Sequence, residues 1–238
     1  MKRKSKSSEA AELKNESPPR KRILVVDDHP MTRAGVAQFL NRQPDLEVSG
    51  ETGDPASALA EISRCRPDLV LADITMPGRS GAEFIKDALA MHEDLPILVV
   101  SMHDEAIYAE RMLRAGARGY IMKEAGGENL LTAVRRVLSG QVYLSDKMSA
   151  QVLETMSGRT PRGSSSPIKQ LSDREFEVFQ LIGQGKSTAE IARQLKLSSK
   201  TVDVHRAHIK EKLELDDVNS LIRYAVRWME SQRENPAN

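Results

Sequence analysis

The 238-residue sequence is poor in cysteine, in aromatic residues and in long apolar runs. Its one cysteine, Cys65, excludes an internal disulfide framework and a cysteine-built zinc site. A lone cysteine of this kind packs as a small hydrophobe. Aromatic residues make up only 4% of the chain, so any core must be aliphatic. No apolar run approaches the roughly 18 residues of a membrane span, so no membrane partner is expected. The basic N-terminus lacks the apolar core of a signal peptide, which points to a cytosolic protein. No internal repeat is visible. Asp27-Asp28-His29-Pro30 is not a glycine-rich phosphate loop, which argues against nucleotide binding.

What is present is unevenly spread. The net charge is +1, but residues 1–22 carry eight Lys/Arg against three Asp/Glu, and residues 23–145 carry twelve against eighteen. Residues 170–238 are balanced, with eleven of each, so overall charge does not by itself indicate nucleic acid. The basic, Pro-Pro-ended stretch 1–22 cannot bury enough surface to offset its ordering entropy and reads as a disordered tail. Residues 157–169 hold two prolines, two glycines and four serines, and read as a flexible linker that follows a short helix at 146–156.

Between tail and linker, short apolar runs alternate with helical periods. Strands are expected at 22–27, 46–50, 68–72, 96–100 and 119–121, with helices near 31–42, 55–64, 81–91, 105–115 and 127–139. Five strands alternating with five helices imply a doubly wound parallel sheet, an α/β domain over 23–145. Fully buried parallel strands show as continuous apolar runs, as these do. After the linker the pattern is entirely helical. Ser172 and Glu175 form a capping box at the first of four helices, and Ser198 caps the third.

The polar residues that close the apolar runs are informative. Asp27 and Asp28 end the first, Asp73 the third and Ser101 the fourth, and Lys123 lies just past the fifth. In an open parallel sheet these ends share one edge, where ligands bind. Carboxylates gathered there repel, by about 4 kcal/mol per ionised pair at about 4 Å and an effective dielectric of about 20. Such a cluster takes up protons or binds a divalent cation. Asp28 and Asp73 suit direct coordination of Mg²⁺, and Asp27 an outer-shell role through water. His29 reads as a loop residue beside the site.

Several motifs together resemble the receiver domain of bacterial two-component response regulators. They are Val26-Asp27-Asp28-His29-Pro30, Asp73-Ile74-Thr75-Met76-Pro77-Gly78, Val100-Ser101 and Gly119-Tyr120-Ile121-Met122-Lys123. The resemblance implies a flavodoxin-like fold and phosphotransfer from a sensor histidine kinase to Asp73. It adds the backbone carbonyl of Thr75 as a Mg²⁺ ligand. Lys123 and Ser101 would contact the phosphoryl oxygens, and Ser101 and Tyr120 would act as the switch. An aspartate-nucleophile phosphatase is the competing class. It would carry a second acid where Thr75 stands, so a dedicated enzyme is not expected.

The C-terminal motifs resemble the four-helix, helix-turn-helix DNA-binding domain of LuxR- and NarL-type regulators. They are Leu171-Ser172-Asp173-Arg174-Glu175, Gly185-Lys186-Ser187, Glu190-Ile191-Ala192, Leu197-Ser198 and Lys200-Thr201-Val202-Asp203-Val204-His205 with Ile209 and Lys212-Leu213. At 100° per residue Val202, Ile209 and Leu213 form one apolar seam, leaving an outward face suited to a major groove of double-stranded DNA. Lys200, Thr201, Arg206, Lys210 and Lys212 are candidate phosphate contacts, and Val204, His205 and Ala207 complete the candidate DNA set. Asp203 either accepts a hydrogen bond from cytosine N4 or pairs with Lys200 or Arg206. The last helix, 217–231, carries an apolar stripe wider than one packing contact needs. The resemblance implies that it pairs two chains through Leu221, Ala225 and Trp228, giving a homodimer on phosphorylation; the alternative is that it closes the domain core.

Overall fold

The computed structural model describes residues 19–74, 76, 80–156 and 167–234. The tail expected over 1–22 falls mostly outside these residues, as do Thr75 and most of the 157–169 linker. No helix among the described residues is long and apolar enough to cross a membrane.

Five strands, β1 (Lys21–Val26), β2 (Leu46–Thr52), β3 (Leu69–Ala72), β4 (Ile97–Ser101) and β5 (Gly119–Met122), form one parallel sheet in the order β2-β1-β3-β4-β5. Helices α1 (Pro30–Asn41), α2 (Pro55–Cys65), α3 (Gly81–Met91), α4 (Glu105–Ala115) and α5 (Gly127–Leu138) connect them and cover both faces. Alternate strand residues point to opposite faces. Leu24, Val26, Val70, Ala72, Ile97, Val99 and Tyr120 therefore pack with α2, α3 and α4. Ile23, Val25, Leu69, Leu71, Leu98, Val100 and Ile121 pack with α1 and α5. Burial on both sides is why these strands read as unbroken apolar runs.

Local signals set the helix ends. Asp54, Ser80 and Asp104 each accept a backbone N–H in the first turn of α2, α3 and α4. Each such cap contributes about 1 kcal/mol. Gly116 ends α4 at φ 112°, where a Cβ would meet Leu89 Cδ1 at 2.3 Å. The order 2-1-3-4-5 reverses at β1/β3, so the carboxyl ends of β1 and β3 flank the crevice where ligands bind.

Two features were not foreseen. Tyr143 pairs with Gly119 as a short parallel bridge that extends the sheet beyond β5, and Met148 of α6 (Asp146–Met156) is buried in the α/β core. Within the expected linker, Pro167–Gln170 form a 3-10 turn with Ile168 buried.

The C-terminal helices are α7 (Asp173–Gly183), α8 (Thr188–Leu195), α9 (Ser199–Lys212) and α10 (Val218–Glu234). Capping boxes open both α7 and α8, at Ser172/Glu175 and Ser187/Glu190. Phe176, Phe179, Ile191, Val202, Ile209, Leu221 and Ala225 form the core. Gly183 lies against α10, where a Cβ would stand 2.7 Å from the Ala225 carbonyl oxygen.

Candidate functional site

The site stands at the carboxyl edge of the sheet. Asp27 follows β1, and its N–H bonds the Thr52 carbonyl at 3.0 Å; Asp73 follows β3, and its N–H bonds the Val26 carbonyl at 2.8 Å. Ladder hydrogen bonds thus hold the backbone of both acids. Their side chains are buried, and Lys123 Nζ lies 2.7 Å from Asp27 Oδ2 and 2.7 Å from Asp73 Oδ2. Burial opposes the charge on Lys123, but the two carboxylates outweigh it and hold its pKa above the ordinary value.

Asp27 is held from the other side as well. Its Oδ1 accepts the His29 N–H at 2.8 Å, and its carbonyl accepts Arg33 Nη1 at 2.5 Å. Arg33 escaped the sequence reading because a helical arginine six residues away carries no periodic signal. The His29 ring is largely exposed, with Nδ1 2.7 Å from Asp28 Oδ1. Carboxylate oxygens of Asp27, Asp28 and Asp73 and a ring nitrogen of His29 lie within 4.8 Å of one another.

These residues fit a magnesium ion. Mg²⁺ takes oxygen ligands, commonly one or two carboxylates with several waters. Asp28 Oδ1 is buried and is approached by the exposed His29 ring nitrogen, so its remaining lone pair is placed to meet a cation. The Thr75 carbonyl lies outside the described residues.

Ser101, fully buried at the end of β4, accepts the His103 N–H at 3.1 Å on its Oγ. Tyr120 is also fully buried, and its hydroxyl donates to the His103 carbonyl at 2.8 Å. Tyr120 is therefore held inward, against the segment that follows Ser101. Burial raises its phenol pKa well above the ordinary value, so it stays a donor.

In α9 the seam is as the sequence implied, with Val202 and Ile209 fully buried. Lys200, Asp203, Val204 and Ala207 are exposed on the outward face, and Lys210 is half-buried. Asp203 pairs with neither Lys200 nor Arg206 among the described residues; Arg206 Nη1 instead donates to Thr188 Oγ1 at 2.6 Å and ties α9 to α8. Thr201 is turned into the helix cap, its N–H 3.0 Å from Ser198 Oγ. His205 is half-buried, and burial holds its imidazole below the ordinary pKa. Lys212 is exposed, and its Nζ lies 2.6 Å from Glu175 Oε2, an ion pair that ties α9 to the start of α7.

The expected pairing residues of α10 are corrected. Leu221 and Ala225 are fully buried inside the domain, and Trp228 packs edge-on against Phe176 and Phe179. Leu221 and Ala225 close the domain core, the alternative left open above, and Trp228 is half-buried against it. The exposed apolar residues of α10 are Val218 and Ile222.

Residues 23–135 match the response regulator receiver domain, and residues 169–225 match the bacterial regulatory proteins of the luxR family. The oxygen regulatory protein NreC of Staphylococcus carnosus (strain TM300) is 35% identical over 210 residues, covering 87% of this chain and 97% of that protein. NreC of Staphylococcus aureus (strain bovine RF122 / ET3-1) is 36% identical over the same share of each chain. Among solved structures, RcsB from Salmonella enterica serovar Typhimurium, bound to promoter rprA with phosphomimetic BeF3⁻, shares the fold. Its TM-score is 0.66 at 23% identity, over 87% of this chain and 98% of that one. A LuxR-family two-component response regulator from Aurantimonas sp. SI85-9A1 has a TM-score of 0.55 at 30% identity, over 58% of this chain and 99% of that one.

Proposed function

The chain belongs to the response regulators that join a receiver domain to a LuxR-type DNA-binding domain, and from that premise we propose that phosphorylation of Asp73 controls its binding to promoter DNA. The phosphoryl donor is a sensor histidine kinase. A carboxylate oxygen of Asp73 attacks phosphorus, the bond from phosphorus to the kinase imidazole nitrogen breaks, and that nitrogen takes up a proton. Phosphoryl transfer of this kind depends mainly on positioning and electrostatics.

The observation that carries the reading is Lys123, 2.7 Å from both Asp27 and Asp73. Its ammonium offsets the carboxylate charge that would repel an incoming phosphoryl group, and it is placed to follow Asp73 and pair with the transferred oxygens. Ser101 lies at the neighbouring strand end to donate to one of them. Mg²⁺, held by Asp28 and Asp73 with Asp27 behind water, would supply further charge neutralisation. The Thr75 carbonyl is retained as a fourth contact on the strength of the family alone.

The product is a regulatory charge rather than a released compound, so the chain acts as a regulator and not as a dedicated enzyme. Its place of action is the bacterial cytosol, where promoter DNA lies. Asp203, Val204 and Ala207 read the major groove, Lys200 and Lys210 contact backbone phosphate, and Thr201, His205 and Arg206 support the helix from its flank. The phosphorylated form pairs as a homodimer, and Val218 and Ile222 are the apolar residues that α10 has free for that contact.

A direct test is mass spectrometry after incubation with a small acyl phosphate and Mg²⁺. The wild type should gain one phosphoryl group, and Asp73→Asn none. Equal labelling of the two would sink the assignment.

A further inference from the structure

Arg33, at the end of the first turn of α1, touches the acidic site without entering it. Its Nη1 donates to the Asp27 carbonyl oxygen at 2.5 Å. A hydrogen bond from a charged donor is roughly twice as strong as one between neutral groups. The Arg33 side chain is largely enclosed, with 21% of it exposed. Its second partner is weaker. Nε lies 3.9 Å from Glu51 Oε2 of β2, and the Glu51 side chain is exposed. Exposed pairs contribute little, so the Asp27 carbonyl is what Arg33 mainly holds.

This tie stands where an ordinary helix cap is missing. α1 opens at His29 with no side-chain cap and no acid in its first turn. The corner between β1 and α1 is closed by three other bonds. Asp27 Oδ1 takes the His29 N–H, the His29 carbonyl takes the Arg33 N–H at 3.0 Å, and the Arg33 guanidinium returns to the Asp27 carbonyl. Lys123 restrains the carboxylates of Asp27 and Asp73 but not that of Asp28. Among the described residues the Asp28 carboxylate meets only the exposed His29 ring. Its aim therefore depends on the peptide that joins it to Asp27, and the carbonyl of that peptide is the one Arg33 holds.

Room for the guanidinium is left by Gly53, just after β2. A Cβ there would stand 3.2 Å from Arg33 Nη1, 3.7 Å from the Asp27 carbonyl oxygen and 3.8 Å from Asp28 Cα. The φ of Gly53 is not left-handed, so its backbone suits any residue. What a side chain would take away is the space beside Arg33. Charge alone gives the opposite expectation for this arginine. A guanidinium beside three carboxylates competes with an incoming cation, and its removal would strengthen metal binding. Positioning and charge thus predict opposite signs for one substitution.

We propose that Arg33 is a positioning residue for the metal-holding acids: through the Asp27 carbonyl it aims Asp28 at the cation, and Gly53 makes room for it. This rests on the Mg²⁺ site of the phosphoacceptor reading above. The test titrates the full chain with Mn²⁺, a paramagnetic stand-in for Mg²⁺, and measures the free ion by electron spin resonance. Arg33→Ala should bind Mn²⁺ about 10–100-fold more weakly, the range typical of residues that orient metal ligands. Arg33→Lys keeps the charge and a donor but not the planar fork, and should fall between. Gly53→Ala should weaken binding in the wild type and add little to Arg33→Ala, since both act through one contact. The Mg²⁺ concentration for half-maximal labelling by acyl phosphate should rise with the Mn²⁺ dissociation constant, while the rate at saturating Mg²⁺ changes less. Unchanged or tighter Mn²⁺ binding by a folded Arg33→Ala overturns the proposal, as does a Gly53→Ala effect that adds in full to that of Arg33→Ala. Should Arg33→Ala not fold, Gly53→Ala decides alone, and wild-type Mn²⁺ affinity in that variant overturns the proposal. A wild type that binds Mn²⁺ but gains no phosphoryl mass overturns the phosphoacceptor reading of Asp73, and the Mn²⁺ comparison still decides the role of Arg33.

Discussion

At the residue scale the protein turns on one lysine between two acids. Lys123 is the internal cation that makes a buried Asp27–Asp73 pair tolerable. Removing one partner of a buried ion pair costs roughly 3–5 kcal/mol, because the remaining charge is left uncompensated. Lys123→Met should therefore unfold at markedly lower temperature than wild type in Mg²⁺-free buffer. A second cation would then be worth more, so added Mg²⁺ should raise the melting temperature of the variant further than that of the wild type. Equal Mg²⁺ stabilisation of the two proteins in a thermal scan would contradict the picture. On α9, Lys200 is exposed, and as the phosphate contact proposed above it would contribute charge without base identity. Lys200→Ala should weaken binding to all DNA sequences alike and reduce the slope of log affinity against log salt by about 1.

At the element scale the C-terminal helices are held by a buried carboxylate. Glu175 caps α7 and receives Lys212 from α9. Burial pushes its pKa up, but Lys212 and the Ser172 hydrogen bonds outweigh that and hold it below its ordinary value. A depressed folded pKa gives stability that is present above the unfolded pKa, about 4.3, and is lost as pH falls through the folded value. Urea midpoints of a fragment spanning α7–α10 should fall as pH drops below about 4.3. Glu175→Gln should be less stable at neutral pH and lack that part of the acid limb. The α7–α10 contact makes a separate demand. A methyl group at Gly183 would press on the Ala225 backbone, and overpacking of this kind costs about 1–3 kcal/mol. Gly183→Ala should lower the urea midpoint by a corresponding amount.

Elements were also where the sequence was most legible. Strands buried on both faces must be apolar throughout, so Asp27, Asp73 and Ser101 stood out as the residues that end them. Capping boxes are local in sequence, and Ser172/Glu175 was visible for that reason. An apolar stripe reports that a face is covered but not what covers it, which is why pairing and core closure both stood open for α10 until Leu221 and Ala225 proved to be core, with Trp228 half-buried against them. The partner of Lys212 was hidden in the same way. A lysine on a candidate DNA helix looks free until the Glu175 carboxylate, 37 residues earlier in the chain, is seen beside it.

At the scale of the whole molecule the decisive contacts are the ones that sequence patterns do not carry. Arg111 reaches carbonyls 57 and 60 residues away, and Tyr143 extends a sheet from what reads as a connector. No periodicity marks such partners, so the joining of the two domains became visible only in three dimensions. The joint places the phosphoacceptor pocket and the DNA-reading helix in one mechanical unit with α4 and α7 between them. Control of DNA binding by Asp73 is tested most directly by the affinity of the full chain for DNA sequences selected by its phosphorylated form. That affinity is measured with and without acyl phosphate and Mg²⁺ in the wild type and in Asp73→Asn. Wild type should bind more tightly after treatment and Asp73→Asn should not respond. An equal gain in both proteins, or no gain in a wild type shown by mass to be phosphorylated, would contradict control of DNA binding by Asp73.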